Sequence, residues 1–202
     1  MIVIVDYGMG NLGSVSNMFK RIGVKSIISS NKLEIENADK LILPGVGAFD
    51  NAMKKLNEQN LVELLNYKVL ELKTPILGIC LGMQLLTNHS EEGIEKGLGY
   101  IDADAKKFSF ESNNLKVPHM GWNTVIHATP SKLTKDLPME PRFYFVHSYA
   151  VHVRKPENSI LKTSYGYEFD SAIQKENIMG AQFHPEKSHK FGMKLFENFS
   201  KL

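Results

Sequence analysis

The ten residues from Pro75 to Gln84, Pro-Ile-Leu-Gly-Ile-Cys-Leu-Gly-Met-Gln, constrain this chain more than any others, and they hold its single cysteine. The apolar run Ile76-Leu77-Gly78-Ile79 reads as a buried strand of a parallel sheet, covered on both faces. Behind Cys80, residues Leu81, Met83, Gln84, Leu85 and Leu86 continue in helix formers. Cys80 therefore falls on a sharp strand-to-helix turn with a glycine two positions to either side, a nucleophile elbow with sulfur in place of oxygen. The glycines are expected to let the backbone turn tightly and leave the thiol exposed at the top of the sheet. A helix start just behind Cys80 favours the thiolate, the reactive form. A lone cysteine is ordinarily a small buried hydrophobe; a base supplied elsewhere in the chain would decide otherwise.

With 202 residues, 43% of them hydrophobic, the chain is large enough for a good core and reads as one domain spanning 1–202. Its net charge of +2 comes with scattered Lys and Arg, so no nucleic-acid surface is expected. One cysteine cannot form an internal disulfide, which fits a reducing, cytoplasmic setting. The apolar start Met1 to Val5 is far too short for a signal segment, and no run reaches transmembrane length, so no membrane association is expected.

Taken in order, Ile2–Val5 reads as a central strand, Ser14–Ile22 as a helix stopped by Gly23, Ser26–Ser29 and Lys40–Leu43 as strands, and Ala48–Leu56 and Leu61–Leu70 as helices. This alternation predicts an α/β fold with a mostly parallel central sheet flanked by helices. After about Gly99 the texture changes to short β-rich runs: Ala105–Phe110, Phe143–Val146, Ala150–Val153, Ile160–Ser164 and Phe169–Gln174. These read as antiparallel strands added to the sheet. Ile178–Phe183 is one more strand. Lys190–Phe199 is a closing helix with Phe191, Leu195, Phe196 and Phe199 on its apolar face.

Gly8-Met9-Gly10-Asn11-Leu12-Gly13 has the form of a dinucleotide-binding turn. The second strand, however, ends in Ser29-Ser30-Asn31, with Glu34 and Glu36 too far on for a ribose contact, and the chain is too short for that fold plus a substrate domain. A tight turn opening a helix is the simpler reading, and no cofactor is expected. The stronger second signal is Gln182-Phe183-His184-Pro185-Glu186. There a strand ends at a histidine, a proline fixes the next turn, and a carboxylate two residues on orients the ring. A cysteine nucleophile needs such a His to take or share its proton and then protonate the leaving group. Cys80, His184 and Glu186 read as a triad in another chain order, since triads are recognised by role rather than by sequence order.

Attack on a carbonyl also needs fixed N–H donors for the developing oxyanion. The Leu81 amide at the helix start is one. The glycine loop Pro44-Gly45-Val46-Gly47, ending a neighbouring strand, is placed to supply the other from Val46 or Gly47, and its peptide planes turn at low cost. His89, His127, His152 and His189 lack telling spacing, and no metal site is expected. The segment Pro118-His119-Met120-Gly121-Trp122-Asn123 reads as an aromatic-rich loop at a ligand rim or subunit interface.

Taken together, Gly-Ile-Cys-Leu-Gly-Met-Gln at 78–84 and Gln-Phe-His-Pro-Glu-Lys-Ser at 182–188 resemble the class I, triad-type glutamine amidotransferases. Pro-Gly-Val-Gly at 44–47, Pro-His-Met-Gly-Trp-Asn at 118–123 and Phe-Val-His-Ser-Tyr at 145–149 narrow the resemblance to the HisH family, glutaminase subunits of imidazole glycerol phosphate synthase. The resemblance implies the single-domain class I amidotransferase fold over 1–202. It implies glutamine as substrate, held by Gly47, Gln84, His147, Ser148, Tyr149 and Lys187, and ammonia passed to a (β/α)8-barrel HisF-type partner. It further implies a Gly45-Val46 peptide that switches the oxyanion site, and a partner-facing surface including Asn11, His119, Met120 and Trp122. A second reading within the family is a paralogue feeding ammonia to another acceptor, such as a sugar in surface-polysaccharide synthesis, through the same catalytic residues. A stand-alone glutamyl-amide hydrolase and an idle binding module are the readings from other classes.

Overall fold

The computed structural model describes residues 1–110 and 115–202. The first half runs β1 (Ile2–Val5), α1 (Leu12–Arg21), β2 (Ser26–Ser29), α2 (Lys32–Glu36), β3 (Lys40–Gly45), α3 (Phe49–Glu58), α4 (Leu61–Asn66), β4 (Ile76–Cys80) and α5 (Leu81–Leu85). The second half adds β5 (His89–Ser90), β6 (Ala103–Lys107), β7 (His119–Thr124), β8 (Ile126–His127), β9 (Arg142–His147), β10 (Tyr149–Val153), β11 (Ser159–Tyr165), β12 (Tyr167–Lys175), β13 (Ile178–Ala181) and α6 (His189–Ser200).

The main sheet has the order β2-β1-β3-β4-β13-β12-β10-β6-β5, with β11 paired to β12 and β8 to β11. From β2 to β13 the neighbours are parallel. β12, β10, β6 and β11 add antiparallel pairings. Strand alternation divides the apolar residues between two faces. Val3, Val5, Leu41 and Leu43 join Phe49, Met53, Leu56, Leu61 and Leu65 from α3 and α4 on one face. Ile2, Ile4 and Ile42 join Val15 and Phe19 of α1 and Leu195, Phe196 and Phe199 of α6 on the other. Helices thus cover both faces, as parallel strands require. Phe191, expected on the buried face of α6, is only partly buried at its edge.

One buried ammonium ties the far edge together. Lys68, in the π turn Tyr67–Glu71 that follows α4, donates through Nζ to the carbonyls of Glu36 at 2.6 Å and Ala38 at 2.9 Å. Desolvation lowers its pKa and the nearby Glu36 partly opposes this.

Two expectations need correction. Phe143–Val146 lies not in the main sheet but in β9, which pairs with β7 in a separate two-stranded ribbon. The segment 118–123, read as a loop, supplies most of that partner strand: Gly121 has φ +124°, and the ribbon runs straight through it. Pro118, Gly121 and Asn123 are poor strand formers, and pairing with the aromatic strand Arg142–His147 overrides their propensity. The short α2, β5 and β8 carry too few residues for a periodic signal.

Phe19 and Phe196 pack ring to ring at 4.7 Å where α1 crosses α6. Phe196→Ala is expected to cost about 3–5 kcal/mol, measured by denaturant unfolding.

Candidate active site

The register of the sheet brings the expected pieces to one edge. β4 lies between β3 and β13, with Gly45 opposite Cys80 and Ala181 opposite Ile79, so the glycine loop and the His184 turn emerge on either side of the cysteine. Such carboxyl ends of parallel strands are where open α/β sheets build their sites. Cys80 has φ +54° and ψ −110°, a strained conformation for a residue with a side chain. The flanking glycines serve differently from the expectation. Neither has positive φ; each permits close approach. A Cβ on Gly78 would lie 2.5 Å from the Gly82 carbonyl oxygen, and one on Gly82 would overlap the Leu43 carbonyl oxygen. The turn strain sits on the cysteine itself. The thiol is also less open than expected: Cys80 is 8% exposed and faces a cavity of about 300 Å³.

His184 ends the segment after β13 and is held from both directions. Its N–H donates to the Tyr144 carbonyl of β9 at 2.8 Å, and its carbonyl accepts from Ser188 Oγ at 2.6 Å. Glu186 follows in the short turn Pro185–Lys187 and bonds His184 Nδ1 at 2.8 Å, with both side chains buried. His184 Nε2 is buried without a hydrogen-bond partner among the described residues, and Cys80 is the nearby charge-bearing group on that side of the ring. Burial alone would hold the ring neutral, yet hydrogen bonds and charge from Cys80 and Glu186 outweigh it and raise the His184 pKa to about 9. His184 is therefore an imidazolium at neutral pH. This charge stabilises the fold below the ordinary histidine value of about 6.5, and that contribution is lost as pH rises through about 9.

The cavity is lined by Val46, Gly47, Cys80, Leu81, Gln84, Glu92, Val146, His147, Ser148, Tyr149, His184 and Lys187. Every residue expected around glutamine thus reaches it, but not all with a free polar atom. Gln84 donates through Nε2 to Gln182 Oε1 at 3.0 Å and to the Tyr149 carbonyl at 3.5 Å, while its Oε1 has no protein donor among the described residues. His147 uses both ring nitrogens internally, Nδ1 on the Tyr149 carbonyl at 2.7 Å and Nε2 on His119 Nδ1 at 2.9 Å. It shapes the wall and offers glutamine no hydrogen bond from its ring. Lys187 Nζ stands 5.6 Å above the Tyr144 ring at the rim. Gly47 has φ +97°, with Met9 close against it.

Of the residues expected to face a partner, His119 is corrected. It is 3% exposed and sandwiched between Tyr165 and Phe145, because strand alternation turns it inward. Met120 and Trp122 point outward, 62% and 40% exposed, and Asn11 is exposed at the start of α1. Two site residues escaped the sequence reading. Glu92 lines the cavity and accepts the Phe49 N–H at the start of α3 through Oε2 at 2.8 Å. It sits in Ser-Glu-Glu-Gly, a composition ordinary in surface turns. Gln182 donates to Cys80 Sγ at 3.7 Å, and its position in an apolar run ending in His184 was the available signal. A larger, more open hollow of about 630 Å³, reached from Pro75 at the other end of β4, contains none of these groups. No cluster of three or more metal-ligating side chains occurs among the described residues.

A cysteine on a strained elbow that shares a cavity with a carboxylate-held histidine is an arrangement suited to displacing nitrogen from an amide. Residues 3–202 match the family described as glutamine amidotransferase class-I. Solved structures agree in fold: one described as a glutamine amidotransferase covers 100% of this chain and 98% of its own at TM-score 0.76 and 18% identity. A putative GMP synthase component from Thermoplasma acidophilum covers 98% and 90% at TM-score 0.71 and 22% identity. The chain belongs to the class I glutamine amidotransferases and, within them, to the HisH family. It is 57% identical over 201 residues to imidazole glycerol phosphate synthase subunit HisH 2 of Methanococcus maripaludis, covering 100% of this chain and 99% of that one. It is 48% identical to HisH 2 of Pseudomonas aeruginosa and 45% identical to HisH of Bdellovibrio bacteriovorus, each matched over its full length.

Glu186→Gln removes one of the groups that keep the imidazolium charged. The alkaline limb of kcat/KM for glutamine is expected near pH 9 in the wild type and at lower pH in the variant, read from a pH–rate profile.

Proposed function

We propose that this chain is the glutaminase subunit of imidazole glycerol phosphate synthase. It releases ammonia from glutamine and passes it to a HisF-type barrel partner, which makes imidazole glycerol phosphate and aminoimidazole carboxamide ribotide in cytoplasmic histidine biosynthesis. The observation that carries the reading is the buried His184, held by Glu186 through Nδ1 and left with Nε2 free for Cys80.

Cys80 Sγ attacks the side-chain amide carbon of glutamine, and the oxygen takes up the negative charge. The Leu81 N–H and an N–H of the Val46-Gly47 loop receive it. Collapse breaks the C–N bond while His184 gives its Nε2 proton to the departing nitrogen, leaving ammonia and a glutamyl thioester. The now neutral His184 takes a proton from water, which attacks the thioester. The second collapse expels the Cys80 sulfur and frees glutamate, returning the ion pair. Gln182, donating to Sγ, supports the charged sulfur in both half-reactions.

The zwitterionic end of glutamine needs one group of each sign. Lys187 suits the α-carboxylate and the free oxygen of Glu92 the α-ammonium, both at the cavity wall. The Gly45-Val46 peptide, beside Cys80 in the register, is the switch that presents the loop donor. Met120 and Trp122, opposite Val146 and Tyr144 in the ribbon, are exposed apolar side chains, as is Val46 at the cavity wall. A partner seated there would shield ammonia from water, where protonation would cost it its nucleophilicity. In the described residues no helix is long and apolar enough to cross a membrane.

The test is glutamate release by the purified chain, alone and with a HisF-type partner plus its ribotide ligand. Strong stimulation is expected, falling about 10³-fold or more in Cys80→Ala. No stimulation, with Cys80 still alkylated by a glutamine-like electrophile, would assign the chain to a paralogue with another acceptor. Neither turnover nor labelling would sink the mechanism.

A further inference from the structure

The mechanism above gives no task to His119, yet it is the middle of an ordered hydrogen-bond chain. Asn123 Oδ1 accepts from the Thr124 N–H at 2.8 Å, and its Nδ2 donates to the Ser164 carbonyl at 3.0 Å, so the backbone fixes which way this amide points. Its second Nδ2 proton then faces His119 Nε2 at 3.2 Å, which must accept. His119 is thereby the Nδ1–H tautomer, donating to His147 Nε2 at 2.9 Å. His147 in turn carries its proton on Nδ1 and donates to the Tyr149 carbonyl at 2.7 Å. Backbone groups at both ends dictate a single proton order. A proton added to either ring would set donor against donor.

The chain continues to the nucleophile. The Tyr149 carbonyl that receives His147 also receives Gln84 Nε2; Gln84 donates to Gln182, and Gln182 to Cys80 Sγ. Asn123 and His119 stand outside the cavity lining, and His147 stands in it. We propose that His119 is a positioning residue for glutamine: it holds His147 in one tautomer, and so fixes the Tyr149 carbonyl against which Gln84 is aligned. The aromatic cage of Phe145, Tyr165 and Phe108 keeps water from breaking the relay. Burial in that cage pushes His119 down to about 4, and burial, opposed by the Tyr149 hydrogen bond, pushes His147 down to about 3. Both rings therefore stay neutral throughout the working range.

The inference rests on the glutaminase reading, and the test separates the two. The glutamine-like electrophile 6-diazo-5-oxonorleucine labels Cys80 only after seating in the glutamine pocket, whereas iodoacetamide reads the thiol alone. The wild type, His119→Leu and His119→Asn are compared by the half-saturating diazo-oxonorleucine concentration, the iodoacetamide rate and Tm. Asn places a donor where His119 Nδ1 stood but, like Leu, loses the ring stack on Tyr165 and Phe145.

His119→Leu is expected to raise the half-saturating concentration about tenfold, the effect of one lost buried hydrogen bond, with the iodoacetamide rate unchanged. His119→Asn is expected to restore it to within about twofold of wild type, while its Tm falls as far as that of His119→Leu. Equal values for the two variants, whether raised or at the wild-type level, would overturn the proposal. Asn123→Ala, at the half-buried end of the chain, guards against a His119 variant that fails to fold: it should raise the same concentration, and no change would likewise overturn the relay. A wild type labelled by iodoacetamide but not by diazo-oxonorleucine would overturn the glutaminase reading itself, and the relay with it.

Discussion

The site depends on a backbone conformation that its own residue does not favour. At φ +54° Cys80 sits where side chains are strained, a cost of about 1–3 kcal/mol that neighbouring structure must over-determine. Here the over-determination is visible. β3 and β13 pair β4 on both edges, and Gly78 and Gly82 let α5 fold back against β4 and β3 at distances no side chain would permit. A relaxed Cys80 would carry the Leu81 N–H and the sulfur away from the same point in space. The elbow, the Leu81 N–H and the cavity are one geometric object.

Around it the protein holds three buried imidazoles in two charge states. His184 has a carboxylate on one nitrogen and the cysteine on the other, and these outweigh desolvation. His147 and His119 have neutral amide partners and each other, so desolvation prevails. His184 also disfavours charge on His147. One wall of the cavity thus favours a charged imidazole and the adjoining wall favours neutral ones. The separation comes from partners, since all three rings are buried.

Much of this was legible because the chemistry and the fold use the same residues. An apolar run into Gly-x-Cys-x-Gly announces strand, turn and the placed cysteine together, and Gln-Phe-His-Pro-Glu announces the end of the neighbouring strand and the carboxylate-held histidine. The parallel half followed from strand and helix alternation. What stayed hidden was whatever depends on pairing across distance. β7 reads as a loop until the aromatic strand β9, beginning 18 residues later at Arg142, is set against it. The burial of His119 and its contact with His147 Nε2 follow from that register, which no local pattern encodes. Glu92 was hidden for a different reason: its surface-turn composition gives no sign that the turn folds back onto the start of α3.

The ribbon strand β7 has a further consequence. Its residues alternate between the interior and solvent, with His119 turned to the buried relay and Met120 and Trp122 turned outward. Interior packing and exterior surface are therefore written in alternate letters of one six-residue word. Substitution at the outward letters leaves the inward ones in place, so the surface of this strand can change to suit a different neighbour while the packing behind it is kept. Insertion of a single residue would do the reverse, exchanging the two alphabets at once. Variation along this stretch is consequently tolerant of replacement and intolerant of changes in length.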